Sequence, residues 1–132
     1  MDNTLSFLGL MKKARALAIG AESAVLMTEL GKVKLLLLPK DAAKNSASSV
    51  KRSAEEWETP LLQLDCTKAQ LGEALGQKEC AALGITDTGF ALSLCEKAGN
   101  SELVQILTQR LDREKKRMAK KTAAVAAKKR RK

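Results

Sequence analysis

The feature that most constrains the fold is a short apolar run in the first third of the chain. Residues 33–38 have the sequence Val-Lys-Leu-Leu-Leu-Leu, and Pro39 follows them directly. The run is too short for an ordinary helix, and its apolar character indicates a strand that is buried on both faces of a sheet. Such a strand needs cover on both sides. The sequence therefore predicts helices in two outer layers.

The segments around this strand alternate between helical and extended patterns. Helices are predicted at about residues 4–20, 21–30, 45–58, 67–75 and 87–98, and two more strands at about residues 61–64 and 80–85. Pro60 opens one strand, Thr67 and Gln70 form a capping-box pattern, and Asp87 is expected to cap the last of these helices. This alternation predicts an α/β protein, a three-layer α/β/α sandwich with a small mixed sheet.

The charges divide the chain near residue 100. Residues 1–100 contain 12 Lys and Arg against 12 Asp and Glu, whereas residues 101–132 contain 12 against 3. We therefore expect one α/β domain at residues 1–100 and a basic tail at residues 101–132. Leu103, Leu107 and Leu111 predict that the tail begins with an amphipathic helix. Little can be buried beyond Arg113, so the remainder is expected to be disordered or a fraying helix.

The tail predicts a polyanionic partner, because its cations exceed what solubility requires. The candidate contacts are Lys115, Lys116, Arg117, Lys120, Lys121, Lys128, Lys129, Arg130, Arg131 and Lys132. Such cations bind phosphates without reading sequence. A nuclear-import signal has the same composition, so that alternative stays open. An anionic membrane surface attracts the same charges, but we expect no membrane partner.

Several functional classes are disfavoured by composition. No apolar run approaches the roughly 20 residues that span a bilayer, and we expect a cytoplasmic protein without a signal peptide. The chain has no His, and Cys66, Cys80 and Cys95 are far apart, so we expect buried thiols, no metal, no cofactor and no enzyme activity.

The aromatic residues give no sign of a base-stacking surface. Phe7, Trp57 and Phe90 are the three aromatics, and each is placed where a predicted helix would bury it. Recognition of a nucleic acid would then depend on backbone groups, helix dipoles and polar side chains.

Several short motifs occur in the order and spacing of one known family. They are Leu5-Ser6-Phe7-Leu8-Gly9-Leu10, Gly20-Ala21-Glu22, Gly31-Lys32-Val33-Lys34-Leu35, Asp41-Ala42, Leu71-Gly72-Glu73-Ala74-Leu75-Gly76 and Asp87-Thr88-Gly89-Phe90. From about residue 4 to residue 98 the chain thus resembles the kink-turn-binding ribosomal-protein superfamily, and within it the bacterial YlxQ-type members. The resemblance implies the same sandwich fold and a noncatalytic RNA-binding role in translation.

The resemblance also implies an RNA site. In that superfamily the second helix enters a kinked RNA by its N-terminus, where amides meet phosphates and side chains contact sheared G·A pairs. The family pattern is Gly, then Asn-Glu, then Lys three residues later, and the corresponding positions hold Gly20, Glu22-Ser23 and Leu26. The implied contacts are Gly20, Ala21, Glu22, Ser23, Leu26, the flanking Lys32 and Lys34, and a closing loop of Gln77, Lys78, Glu79 and Cys80.

Two functions remain open from the sequence. The first is a monomeric RNA-binding protein that docks ribosomal or other structured RNA through the second helix, beside ribosomal proteins, and anchors through its tail. The second is a protein-interaction module on the same fold, with nonspecific nucleic-acid binding by the tail alone.

Overall fold

Six helices and one four-stranded sheet form the part of the chain that the structure describes. A computed structural model describes residues 3–130, and the side chains of residues 4–127. The elements in chain order are α1 (Asn3–Lys13), β1 (Leu17–Ile19), α2 (Ala21–Glu29), β2 (Leu35–Leu38), α3 (Lys44–Glu56), β3 (Leu61–Gln63), α4 (Lys68–Ala74), β4 (Leu83–Ile85), α5 (Thr88–Ala98) and α6 (Ser101–Arg130).

The sheet is mixed and has the strand order β1-β4-β2-β3. β2 and β3 are parallel, joined by α3 as their crossover helix, with Leu36 opposite Leu61. β4 is antiparallel to both of its neighbours. The predicted strand at residues 33–38 is thus a central strand, and all four residues of β2 are buried.

Alternate residues of β2 face two separate cores. Leu35 and Leu37 pack in one core with residues of α1, α4, α5 and α6, and Leu36 and Leu38 pack in the other with residues of α2 and α3. Successive side chains of a strand point to opposite faces, so two helical layers are needed to cover them. The predicted three-layer α/β/α sandwich with a mixed sheet is confirmed.

Five helices end in the same hydrogen-bonded turn, with one residue of left-handed backbone after the helix. In each, the residue after the left-handed one donates its N–H to the carbonyl five residues earlier, as Thr59 N–H does to the Ala54 carbonyl at 2.9 Å. The left-handed residues are Arg15, Gly31, Glu58, Gly76 and Gly99. Glycine takes this conformation without steric cost, whereas arginine and glutamate do not.

The first predicted helix was too long. It was expected to continue to about Gly20, but α1 ends at Lys13 and residues 17–19 form the edge strand β1, paired with β4. Arg15 closes the helix with a φ of 59°, and no glycine marks that turn. The third predicted strand is likewise shorter than expected and begins at Leu83 rather than near Cys80.

The tail is helical as far as the structure describes it. At its start Leu103 and Leu107 are buried in the core that contains Leu35 and Leu37. Helix and disorder were both expected beyond Arg113, and α6 continues as helix to Arg130. Ala, Lys and Arg favour helix, and the docked turns supply the nucleus from which it extends.

Candidate nucleic-acid interface

The N-terminus of α2 follows β1 with a single glycine between them. Gly20 has φ 98° and ψ 154°, a conformation that is essentially restricted to glycine. Its N–H donates to the Ala82 carbonyl at 2.9 Å, and its carbonyl accepts from Ala24 N–H at 2.9 Å. No side chain caps this end. The amides of the first turn therefore keep the partial positive charge that favours an anion.

The 77–80 loop lies beside this helix end. Cys80 Sγ donates to the Ala82 carbonyl at 3.2 Å, which is the same carbonyl that receives the Gly20 N–H. Gln77 N–H donates to the Gly72 carbonyl at 2.7 Å, so the loop is held against α4. Burial raises the pKa of the Cys80 thiol above its ordinary value. Cys80 is thus a structural anchor, and not a reactive thiol.

Most of the predicted side chains at this end are exposed. Glu22 and Ser23 are exposed on the first turn of α2, and Gln77, Lys78 and Glu79 are exposed on the loop, while Ala21 and Gly20 are half-buried and Cys80 is buried. We call the first turn of α2 together with the 77–80 loop the α2 surface. Lys78 supplies a cation to it, and Glu22 and Glu79 supply anions. Charge alone therefore does not make this surface attractive to phosphate.

Leu26 lies one turn further along α2 and is 55% exposed. Together with Glu22 it lines a groove of ≈ 400 Å³ between α2 and α3, where Asn45, Ser46 and Ser49 form the opposite wall. An exposed leucine can contact a sugar or a base face but cannot donate to a phosphate.

The structure does not bring Lys32 and Lys34 to the α2 surface. α2 has nine residues and is therefore about 14 Å long, and both lysines follow its other end. Lys34 N–H donates to the Ile85 carbonyl, whereas Gly20 bonds to Ala82, so the two sites lie at opposite ends of β4. The expectation that these lysines flank the helix N-terminus is not met, because β2 starts beside the last residue of β4, whereas α2 starts beside its first.

The described tail cations lie on an exposed helix. Side chains 115–127 are all exposed, among them Lys115, Lys116, Arg117, Lys120 and Lys121. From residue 115 to residue 130 the helix extends over about 24 Å. The side chains of Lys128, Lys129 and Arg130, and all of Arg131 and Lys132, lie outside the described residues.

The described part of the chain holds no candidate metal cluster. No group of three or more His, Cys, Asp or Glu in that part of the chain is placed to hold a metal ion. None of the described helices is both long and apolar enough to cross a membrane. Cys66, Cys80 and Cys95 are buried, as predicted. Burial raises the pKa of Cys95 to about 11.

The prediction that every aromatic is buried was wrong for Trp57. Phe7 and Phe90 are half-buried, and their rings pack edge to face at 5.8 Å. Trp57 is 47% exposed, because α3 ends there and the chain turns at Glu58. Its indole borders a surface groove of ≈ 350 Å³ whose other walls include Arg113 and Arg117.

One sequence signal could have indicated this second cluster. Arg110, Arg113 and Arg117 are spaced three and four residues apart, which places them on one face of a helix. In the structure these arginines of α6 lie beside Trp57 at the end of α3. No local sequence pattern predicts this proximity between two distant segments.

Comparison with known proteins identifies the family. The model of the ribosomal protein L7Ae/L30e/S12e/Gadd45 family matches residues 2–95. Among curated relatives, the RNA-binding protein YlxQ of Bacillus subtilis (strain 168) is 30% identical over 87 residues, which is 66% of this chain and 86% of the relative. The RNA-binding protein YlxQ of Enterococcus faecium is 29% identical over 90 residues, covering 68% and 85%.

Solved structures agree with the fold. A protein of unknown function from Bacillus halodurans C superimposes with a TM-score of 0.67 and 29% identity, covering 74% of this chain and 97% of that one. A 15.5kD RNA-binding protein from Giardia lamblia has a TM-score of 0.59 and 20% identity, covering 78% and 85%. At 20% identity the second comparison shows the fold alone.

Proposed function

The chain belongs to the ribosomal protein L7Ae/L30e/S12e/Gadd45 family, and from this membership we propose that it is a noncatalytic RNA-binding protein of the cytoplasmic translation apparatus. It docks a structured, kink-turn-like RNA at the α2 surface and anchors through residues 101–132. Its partners are ribosomal or similar structured RNA and neighbouring ribosomal proteins, and it acts as a monomer. The YlxQ relatives, which are named RNA-binding proteins, support RNA as the partner.

One observation carries the choice of the α2 surface. The uncapped N-terminus of α2 and the 77–80 loop are held together, because the Ala82 carbonyl accepts from both Gly20 N–H and Cys80 Sγ. A helix N-terminus without a side-chain cap offers its amides to an external anion. The loop alongside it forms a second wall, so a bent RNA backbone would contact both at once.

Each exposed group has a specific role in this proposal. The first-turn amides of α2 donate to a phosphate at the kink. The Glu22 carboxylate accepts from a guanine amino group, and the Ser23 hydroxyl donates to or accepts from a base edge. Lys78 contacts the phosphate backbone and contributes no sequence information.

The tail supplies affinity that does not depend on sequence. The domain of residues 1–100 has balanced charge, so most of the electrostatic attraction to RNA must come from residues 101–132. The exposed helix of α6 presents these cations over a long surface, and each phosphate contact releases counterions.

Restoring the family residues tests the proposal. Ser23→Glu combined with Leu26→Lys should strengthen binding to a standard kink-turn RNA by about tenfold or more, since each added polar contact contributes about 1–3 kcal/mol. The affinity is measured by fluorescence anisotropy with a labelled kink-turn RNA and, in parallel, a duplex of equal length.

A matched variant controls for charge. Ser6→Glu with Leu10→Lys makes the same two changes on α1, where both side chains are exposed and lie on the other face of the sheet. This variant should leave both affinities within about twofold. If the α2 variant changes kink-turn and duplex affinity equally, or changes neither, the α2 surface is not a kink-turn site.

A second candidate function is favoured by exposed apolar side chains on α2. Leu26 is 55% exposed and Leu30 is 58% exposed, which suits a protein partner better than a phosphate backbone. In this alternative the domain is an interaction module and only the tail binds nucleic acid. Leu26→Lys would then abolish capture of the protein partner and leave RNA affinity equal on kinked and duplex RNA.

A further inference from the structure

We propose that the groove between Trp57 and α6 is a second RNA-contact site, in which the indole stacks on an unpaired base and Arg113 and Arg117 hold the adjacent phosphates. We call it the Trp57 groove. It rests on the RNA binding proposed above but shares no residue with the α2 surface, since it lies near Gly31 and Lys34, beyond the opposite end of α2.

The position of Trp57 is set by the end of α3. Trp57 is the last residue before the chain reverses, and Glu58 takes a φ of 51° to make that turn. The Arg110 guanidinium donates to the Glu58 backbone carbonyl at 2.8 Å, which fastens the turn to α6. The backbone that carries the indole is therefore held in place while 47% of the residue stays exposed. Base stacking requires an exposed aromatic face.

The charges that line the groove leave two arginines available. Glu114 is already occupied, because its carboxylate accepts from the Thr88 hydroxyl at 2.8 Å and lies 3.6 Å from Lys34 Nζ. Among side chains 4–127, no carboxylate lies within ion-pair distance of Arg113 or Arg117. Each guanidinium group can therefore donate two hydrogen bonds to a phosphate without first breaking an ion pair.

The combination favours RNA over an acidic protein. Acidic peptides need cations alone, whereas a nucleotide presents a flat base and a phosphate within reach of each other. The same helix face continues with exposed Lys120 and Lys121, one turn beyond Arg117. Cations therefore continue along α6 away from Trp57, where they can contact the phosphates of a single-stranded RNA whose base stacks in the groove.

The experiment uses intrinsic fluorescence of the full-length protein. Trp57 is the only tryptophan of the chain and there is no tyrosine, so the emission reports this groove alone. A short single-stranded oligoadenylate should quench the emission strongly at saturation, and a duplex of equal length should quench it far less. The two variants at this position have no tryptophan, so their affinity is measured by fluorescence anisotropy with a labelled oligoadenylate. Trp57→Ala should weaken oligoadenylate binding roughly tenfold, and Trp57→Phe should stay within about threefold, because a phenyl ring still stacks.

Two charge variants provide the matched control. Arg113→Gln with Arg117→Gln and Lys120→Gln with Lys121→Gln each remove two positive charges from the same helix. The arginine pair should weaken oligoadenylate binding at least about threefold more than the lysine pair. Equal losses would show only general attraction by α6 and would overturn the proposal.

Other outcomes separate this proposal from the proposed function. If anisotropy shows binding of a kink-turn RNA while the Trp57 emission stays unchanged with oligoadenylate at saturation, the Trp57 groove is refuted and the α2 surface stands. Quenching of equal depth by polyglutamate would also refute base stacking. If the full-length protein binds none of these RNAs, both proposals fail together.

Discussion

Replacing Gly72 with alanine should destabilise the protein and displace the 77–80 loop. Gly72 lies inside α4, where alanine is normally favoured over glycine by about 0.5–1 kcal/mol. A Cβ at this position, however, would lie 2.5 Å from Glu79 Cα, 2.7 Å from Glu79 N and 2.9 Å from the Gln77 carbonyl oxygen. All three atoms belong to the backbone, so no side-chain rotation can relieve the contact.

The size of the effect follows from these distances. Ordinary contact begins near 3.4 Å, so the loop backbone must move by close to 1 Å relative to α4. Overpacking of this kind typically costs about 1–3 kcal/mol. After the gain in helix propensity is subtracted, the net loss should be about 1–2 kcal/mol. Because the loop is one wall of the α2 surface, affinity for a kink-turn RNA should also fall.

Urea denaturation measures the change in stability, and Gly9→Ala is the matched control. Gly9 also lies inside a helix, but the nearest contact of its added Cβ would be the Ala74 carbonyl oxygen at 3.6 Å, an ordinary distance. Gly9→Ala should therefore stabilise by about 0.5–1 kcal/mol, and Gly72→Ala should lower the midpoint by on the order of 1 M urea. If both variants stabilise, the loop is not in close contact with α4 and the reasoning fails.

Three further predictions concern other parts of the molecule. Glu58→Gly should raise the unfolding free energy by about 0.5–1 kcal/mol in urea titrations, whereas Glu58→Ala should not, because only glycine relieves the positive φ. Burial raises the pKa of the Cys95 thiol from its ordinary value of about 9 to about 11, so the stability that the neutral thiol contributes is complete below pH 9 and is lost as the pH rises toward 11. The unfolding free energy of Cys95→Ala should therefore fall by about 2–3 kcal/mol less than that of the unchanged protein over the same pH range, as measured by unfolding titrations. A chain ending at Arg113 should keep its cooperative thermal transition, but the slope of log affinity for RNA against log salt concentration should be flatter by several units. A chain ending at residue 100 should in addition be less stable, because Leu103 and Leu107 are lost. Equal salt slopes would exclude the tail from binding.

Local signals predicted most of the secondary structure. The Thr67–Gln70 capping box and the Asp87 cap are both present, with the side chain of each cap accepting from the amide three residues later. These features depend on residues within one turn, so they are visible in the sequence. The central strand was equally clear, because four consecutive leucines require burial on both faces.

The failures occurred where local and tertiary forces disagree. β1 has three residues, and its sequence Leu-Ala-Ile fits a helix as well as a strand. Pairing with β4 decides that these residues form a strand. To end α1 before this strand, Arg15 takes a left-handed conformation that is usually found at glycine. Trp57 was expected in the core because its spacing continues the buried face of α3. The helix ends at Glu56, and a spacing argument does not show where a turn without glycine will fall.

The candidate sites differed in predictability for the same reason. Gly20, Glu22 and the 77–80 loop were assigned by resemblance, and the structure places them together, although their contact with RNA remains a prediction. Lys34 was also assigned by resemblance, as a residue that flanks the same surface. In the structure it pairs with Glu114 of α6 at 3.6 Å, a contact between residues 80 positions apart.

The placement of α6 connects the two proposed RNA contacts. Its first turns bury Leu103 and Leu107 in the domain core, so the helix leaves the domain in a fixed direction set by packing. Arg110 then fastens it to the turn beside Trp57, and Arg113 and Arg117 follow on the same face. The cations of a wholly disordered tail would have no fixed position relative to the domain. A helix that starts in the core instead positions its cations beside Trp57, so an RNA that docks at the α2 surface and continues around the domain would meet an aromatic face before it meets the outer lysines.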